Sequence, residues 1–176
     1  MRAAWRCTIL LAICLSARAE ISHLRRVDEN VYYAHQPKPQ DYATLAHMGI
    51  RTVLDLRGGW IHKPHERREV EAAGMRYISI RLSGIWAPKD RQIARILAIL
   101  DDPSRVPVFV HCRRGDDRVG TAIACYHIVH DHWTNKQALQ DARHNGLNVL
   151  EVFMQRYISK FDVNKLPRNG AATAGQ

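Results

Sequence analysis

Past its first fifteen residues, this 176-residue chain has no apolar run long enough to cross a bilayer. That excludes a transmembrane anchor of about 20 residues in the body of the protein. Its four cysteines form no C-x-x-C pair, so neither a zinc ribbon nor a thioredoxin-like motif is present. Lysine and arginine never gather into a long run and are not interleaved with aromatic residues, which removes the usual footprint of a nucleic-acid partner. No internal repeat is visible, so a solenoid or propeller is excluded.

What is present begins with a leader. Arg2 and Arg6 form a positive end, Cys7 to Leu15 is apolar, and Ala17-Arg18-Ala19 is an A-x-A cleavage signal. These predict a secretory signal peptide over residues 1–19, cleaved after Ala19, and an exported, soluble, periplasmic mature protein. Cleavage removes three arginines and no acid, taking the net charge from +9 to +6. A moderately basic surface suits an anionic substrate or a membrane face, and equally serves solubility. The folded domain is expected over residues 20–162, and residues 163–176 lose periodicity and read as a disordered tail.

Apolar runs alternate with helical patterns along the domain. Strands are expected near Val31 to Ala34, Arg51 to Leu56, Tyr77 to Leu82 and Val106 to Val110. Helices are expected from Pro39 to Met48, Pro64 to Ala73 and Asp90 to Leu100, with Gly49 and Gly74 ending the first two. Thr134 and Gln137 form a capping box for a later helix that Gly146 ends. Asn148 is placed to cap the last helix, whose apolar face would be Leu150, Phe153, Met154, Tyr157, Ile158 and Phe161. Strands alternating with helices predict a single α/β domain with a mostly parallel sheet of four to five strands flanked by helices. Ligands bind such sheets at the carboxyl ends of their strands.

The stretch His111-Cys-Arg-Arg-Gly-Asp-Asp-Arg-Val-Gly-Thr121 follows the last of those strands and leads into a small-residue helix. A loop in this setting turns its N–H groups inward and gains partial positive charge from the helix N-terminus, so it suits an oxyanion. Cys112 stands at the loop entrance. Arg118, six residues on, closes C-x5-R with a guanidinium able to grip two phosphate oxygens. The arrangement suits attack of a sulfur on a bound phosphoryl group. The second cysteine of the mature chain, Cys125, reads as a small buried hydrophobe. A protective disulfide with Cys112 is the other reading, and the helix would carry Cys125 too far for it. His127, His130 and His132 read as helix-surface histidines, with no third ligand type to complete a metal site.

This pattern resembles the cysteine-dependent protein tyrosine phosphatase superfamily, whose signature is H-C-x5-R, and most of all its compact bacterial dual-specificity phosphatases. The likeness covers residues 26 to 160 and takes in Val31-Tyr-Tyr-Ala-His-Gln-Pro37 and Gly49-Ile-Arg-Thr-Val-Leu-Asp-Leu-Arg57. It implies hydrolysis of phosphate monoesters through a phosphocysteine on Cys112, without metal or cofactor. The substrate would be a phosphorylated small molecule, lipid or protein. The resemblance makes Cys112 the nucleophile and Arg118 the group that stabilises transition-state charge. The amides of Arg113, Arg114, Gly115, Asp116, Asp117 and Arg118 would hold the phosphoryl oxygens, and His111 would support the loop. The general acid has two candidates: Asp90, on a separate loop, and Asp117, which some phosphoinositide phosphatases of the superfamily match with an aspartate before the arginine. Asp117 is slightly favoured. Arg57 either contacts substrate or, more often in such positions, pairs with a structural carboxylate. Arg113 and Arg114 add charge of the kind found in relatives acting on inositol phosphates or phosphoinositides.

One residue departs from the pattern. The family has Ser or Thr directly after the arginine, where the hydroxyl helps the cysteine leave; here it is Val119, with Thr121 two residues on. Slow hydrolysis of the phosphocysteine and an early burst of product are expected. The same departure keeps open a second reading, an inactive relative that binds phosphorylated ligands. A rhodanese-like sulfurtransferase fits less well, because Arg118 and His111 favour phosphate.

Overall fold

The computed structural model describes residues 21–58 and 63–167 of the chain. The expected signal peptide and the end of the tail lie outside them. Five strands and six helices follow in the order β1 (Arg25–Arg26), β2 (Val31–Ala34), α1 (Asp41–His47), β3 (Thr52–Asp55), α2 (Lys63–Ala72), β4 (Arg76–Ser79), α3 (Asp90–Leu100), β5 (Val108–His111), α4 (Asp117–His130), α5 (Asn135–His144) and α6 (Val152–Lys160). Among the described residues, no helix is long and apolar enough to cross a membrane.

The sheet order is β1-β2-β5-β3-β4. The last four are parallel, and the short antiparallel β1, which no alternation in the sequence announced, pairs beside β2. The β5 segment Val-Phe-Val-His is buried at every position, as a central parallel strand covered on both faces must be. Alternation along it separates two cores. Val108 and Val110 join Leu54, Val31 and the α3–α4 residues Ile93, Ile96, Val119 and Ile123. Phe109 joins Val53, Tyr77, Tyr42, Leu45 and Val70 on the α1–α2 side. A third cluster of Ala124, Ala138, Ala142, Met154 and Ile158 packs α5 and α6 on α4, and its small residues let the helices approach closely.

Register places Ala34, His111, Asp55 and Ser79 in one row at the carboxyl ends of the parallel strands. Cys112 follows directly on that row, so the topology puts the expected site where such sheets bind ligands.

Several local expectations change. Asn148 does not cap α6. The N-cap residue is Glu151, while the Asn148 side chain accepts the Leu150 amide at 2.9 Å and the Asn148 backbone N–H donates to Asp117. Leu150 precedes the helix and Phe153 faces outward, so the buried face of α6 narrows to Met154, Gln155 and Ile158. Residues Val163–Lys165, expected in the tail, form a 3-10 turn capped by Asp162. The Thr134–Gln137 capping box is in place, with the Gln137 amide donating to Thr134 Oγ1 at 3.3 Å.

Candidate active site

Beyond β5 the chain folds back on itself before starting α4, and Gly115 makes this possible. Its φ is +77°, which L side chains rarely adopt. A Cβ there would lie 2.6 Å from the Ala34 carbonyl oxygen, so the loop presses directly on the end of β2. Gln36 N–H donates to the Arg113 carbonyl at 3.4 Å and fixes the outer side of the loop.

Cys112 is only 2% exposed. Its Sγ accepts the Gly115 N–H at 3.2 Å, so the sulfur sits under the turn of amides. Among the described residues, the amides of Arg113, Arg114, Asp116, Asp117 and Arg118 have no acceptor. A run of inward donors at a helix N-terminus makes an anion-binding concavity. Arg118, in the first turn of α4, makes no ion pair among the described residues. It borders a cavity of about 510 Å³ that Arg57, Arg81, Ser83, Trp86 and Lys89 also line. A larger cavity of about 610 Å³ runs along β4 beside Arg67, Arg76, Arg95 and Arg105, two strands away from β5.

His111 is fully buried, with Nε2 3.0 Å from Glu66 Oε1 and Nδ1 3.3 Å from the Cys112 carbonyl oxygen. Glu66 also accepts the Tyr42 hydroxyl at 2.7 Å and a bond from Arg57 Nη2. Arg57 grips Asp55 through Nε at 2.9 Å and Nη2 at 3.1 Å, and Tyr77 donates to the same carboxylate at 2.9 Å. Arg57 is therefore placed with structural carboxylates. Glu66 escaped the sequence reading: it is one of three glutamates on a strongly polar helix, and nothing in the sequence marks it as the buried one. Asp55, Glu66 and His111 offer ligand atoms within 4.8 Å of one another, as a metal site would. Here Arg57 and two tyrosine hydroxyls already occupy the carboxylates with hydrogen bonds, while His111 Nε2 approaches Glu66 at ion-pair distance without hydrogen-bond geometry.

Burial alone would raise the Asp55 and Glu66 carboxyls. Arg57 and His111 outweigh it for Asp55, and His111, Tyr42 and Arg57 do so for Glu66, so both fall below their ordinary values of 3.8 and 4.5. A carboxylate depressed in the folded state binds fewer protons there than in the unfolded chain. Its stabilisation is complete above those ordinary values and is lost as pH falls through the folded ones. Thermal unfolding should therefore show Tm dropping below about pH 5, less steeply in Asp55→Asn than in the parent. Equal slopes would remove the network from the account of acid stability.

The two general-acid candidates are not equivalent. Asp117 is the first residue of α4, directly after the loop, its Oδ1 accepting the Asn148 backbone N–H at 3.0 Å and its Oδ2 accepting Arg114 Nη2 at 2.8 Å. Asp90 begins α3 without capping it and accepts the Tyr157 hydroxyl at 2.8 Å. It borders a separate cavity against α6. Asp116 is the α4 N-cap residue; burial raises its carboxyl, opposed by the charge of His35, whose Nε2 lies 3.9 Å away. Thr121 is fully buried and donates back to the Asp117 carbonyl at 2.8 Å, so its hydroxyl is engaged within α4. Val119 lies in the same buried cluster as Cys112. Cys125 is wholly buried, which pushes its thiol up, and both Cys112 and Cys125 are free. His127, expected on the helix surface, is buried in α4, and Asp131 bonds the Nδ1 atoms of His127 and His130 at 2.5 and 2.9 Å.

Comparison with known proteins bears on the same segment. A family model described as "Polymorphic toxin system, DSP-PTPase phosphatase" matches residues 28–132. The chain is 27% identical over 125 residues to the dual specificity protein phosphatase TpbA of Pseudomonas aeruginosa, covering 70% of this chain and 55% of that one. It thus spans little more than half the length of that relative. It is 23% identical over 148 residues to the inositol diphosphatase DSP3 of Arabidopsis thaliana, covering 75% and 70%. The crystal structure of P. aeruginosa TpbA superposes with a TM-score of 0.69 at 25% identity, covering 81% of this chain and 87% of that one. The catalytic core of the S. cerevisiae PP-IP phosphatase SIW14 gives 0.72 at 18% identity, covering 82% and 88%, a likeness of fold alone.

Proposed function

The chain belongs to the DSP-PTPase phosphatase family described from polymorphic toxin systems, and from that premise we propose that this phosphatase hydrolyses phosphate monoesters, without metal, through a phosphocysteine on Cys112. One observation carries the reading: the Cys112 sulfur accepts the Gly115 amide in a turn whose other amides, like the Arg118 side chain, have no partner among the described residues. The thiolate is the attacking form. It forms an S–P bond as the P–O bond to the leaving group breaks, and the leaving oxygen takes a proton. Water then attacks phosphorus, the S–P bond breaks, and phosphate departs. The amides and Arg118 meet the charge on the equatorial oxygens in both steps. On the strength of the residue 1–19 leader, this chemistry is placed in the periplasm.

Arg81, Lys89 and Arg118 around one cavity favour a substrate carrying more negative charge than a single phosphoryl group, and some relatives bear the name inositol diphosphatase. A small multiply phosphorylated molecule fits better than an uncharged ester.

Position favours Asp117 over Asp90 as the proton donor, because Asp90 lies in a different cavity, bonded to Tyr157. The Arg114 side chain that holds Asp117 Oδ2 is 62% exposed, so it can swing to the substrate and leave that oxygen able to carry a proton. Asp117→Asn should slow an alkyl phosphate by roughly 10²-fold and p-nitrophenyl phosphate much less, while Asp90→Asn changes neither. An Asp117→Asn enzyme as fast as its parent on the alkyl ester removes the assignment.

Val119 offers the departing sulfur no hydroxyl, and Thr121 is committed to the Asp117 carbonyl. Turnover of p-nitrophenyl phosphate in EDTA should begin with a burst of about one product per protein molecule, as an accumulating covalent intermediate requires. Val119→Thr should raise the steady-state rate and shrink the burst. No activity in EDTA would overturn metal independence. Activity without a burst, unchanged by Val119→Thr, would overturn slow hydrolysis of the phosphocysteine.

A further inference from the structure

Two segments near the candidate site carry large apolar side chains that the fold leaves in solvent. Ile85 is 65% exposed, Trp86 60%, Val149 73%, Leu150 80%, Val152 61% and Phe153 48%. They come from two separate segments, and two contacts join those segments to the site. The rings of Trp86 and Phe153 meet with centroids 4.7 Å apart, and Trp86 lines the cavity that holds Arg118. The Asn148 backbone N–H bonds Asp117, directly after the catalytic loop, which sets Val149 and Leu150 beside the loop. A soluble domain rarely gathers this many large apolar groups in one exposed place without a partner for them.

Charge identifies the partner. Arg81 and Lys89 lie on the cavity side of the patch, and Arg156, Lys160 and Lys165 border the neighbouring cavity with Phe153. The nearby acids are fewer: Asp90 is bonded to Tyr157, Asp162 lies 3.8 Å from Lys165, and Glu151 is half-buried. An aromatic and aliphatic tip surrounded by exposed cations fits the headgroup zone of an anionic bilayer, where Trp rings settle and Lys and Arg meet lipid phosphates.

We propose that the Ile85–Trp86 and Val149–Phe153 segments dock this phosphatase on an anionic phospholipid surface, with the Cys112 loop facing the headgroups. Docking rests on the proposed function only for what it delivers to Cys112, and it is measured without turnover.

The test is sedimentation of the protein with vesicles of phosphatidylcholine containing phosphatidylglycerol, or of phosphatidylcholine alone, beside a Val149→Ser/Leu150→Ser variant of the same chain. The parent should bind the anionic vesicles, more weakly as salt rises. The variant should bind them roughly tenfold or more weakly, from the loss of two apolar anchors. Turnover of p-nitrophenyl phosphate should be the same for both proteins, since neither side chain touches the loop chemistry. Because any N-terminal leader is common to both, the difference reads the patch alone. Equal binding by parent and variant, or binding by neither, overturns the proposal. So does gel filtration showing a parent dimer that the variant dissociates, because a second copy would then cover the patch. Failure of the phosphatase reading would appear separately, as absent turnover in proteins that still sediment.

Discussion

Cys112→Ser is expected to abolish turnover, by a factor on the order of 10⁴ or more, while the protein stays folded and still binds phosphate or vanadate. The substitution is nearly isosteric, and the site around it is built from backbone: the Gly115 amide would meet a hydroxyl as it meets the sulfur. What disappears is nucleophilicity. A serine hydroxyl must lose its proton to a neighbouring base before it attacks. The nearest imidazole cannot serve, because His111 Nε2 faces Glu66 and Nδ1 faces the Cys112 carbonyl. Stopped-turnover assays in EDTA, with calorimetry for vanadate binding, read both halves of the expectation. Retained activity would remove the phosphocysteine. Lost activity together with lost binding would mean that residue 112 shapes the loop and that the comparison says nothing about chemistry.

Gly115→Ala is the second large effect. Ala must take φ near +77° and bring a Cβ to 2.6 Å from the Ala34 oxygen and 2.9 Å from the His35 amide nitrogen. The strained backbone costs about 1–3 kcal/mol, and the close approach is to backbone atoms that cannot rotate aside. The loop must lift from β2, carrying the donor of the Cys112 sulfur with it. Since one lost oxyanion donor costs roughly 10²–10³ in rate, at least that loss in kcat is expected, with weaker vanadate binding and a lowered Tm. An active Gly115→Ala enzyme would mean that the loop finds another conformation and that the packing on Ala34 is dispensable. Gly115 could be marked from the sequence as the turn residue of the loop, but its second constraint, contact with another strand, could not.

The same division holds across the molecule. Apolar runs announced the parallel strands, because the central ones, β3 and β5, are buried on both faces, and the segment from His111 to Arg118 suggested its chemistry because strand, turn and helix follow one another locally. Terminal details were harder. Asn148 has the chemistry of a cap, but its side chain accepts the Leu150 amide ahead of α6, and its backbone N–H is what reaches Asp117. Leu150 and Phe153 sit at helical spacing and read as core, yet Leu150 precedes α6 and Phe153 stays largely exposed against the Trp86 ring.

The sequence by itself determined the α/β architecture and the absence of a hydroxyl at Val119, and it marked Cys112 and Arg118 as the pair on which the proposed chemistry rests. Each of these is written in adjacent residues or in a regular period. Only the tertiary structure decided that Glu66 holds His111, that Arg57 belongs to Asp55, that Asp90 opens on another cavity, and that Trp86 meets Phe153 beside the site. These contacts join residues distant in the chain, and no local rule of spacing or propensity specifies which distant side chain will fill a partner's last hydrogen bond or leave it facing solvent.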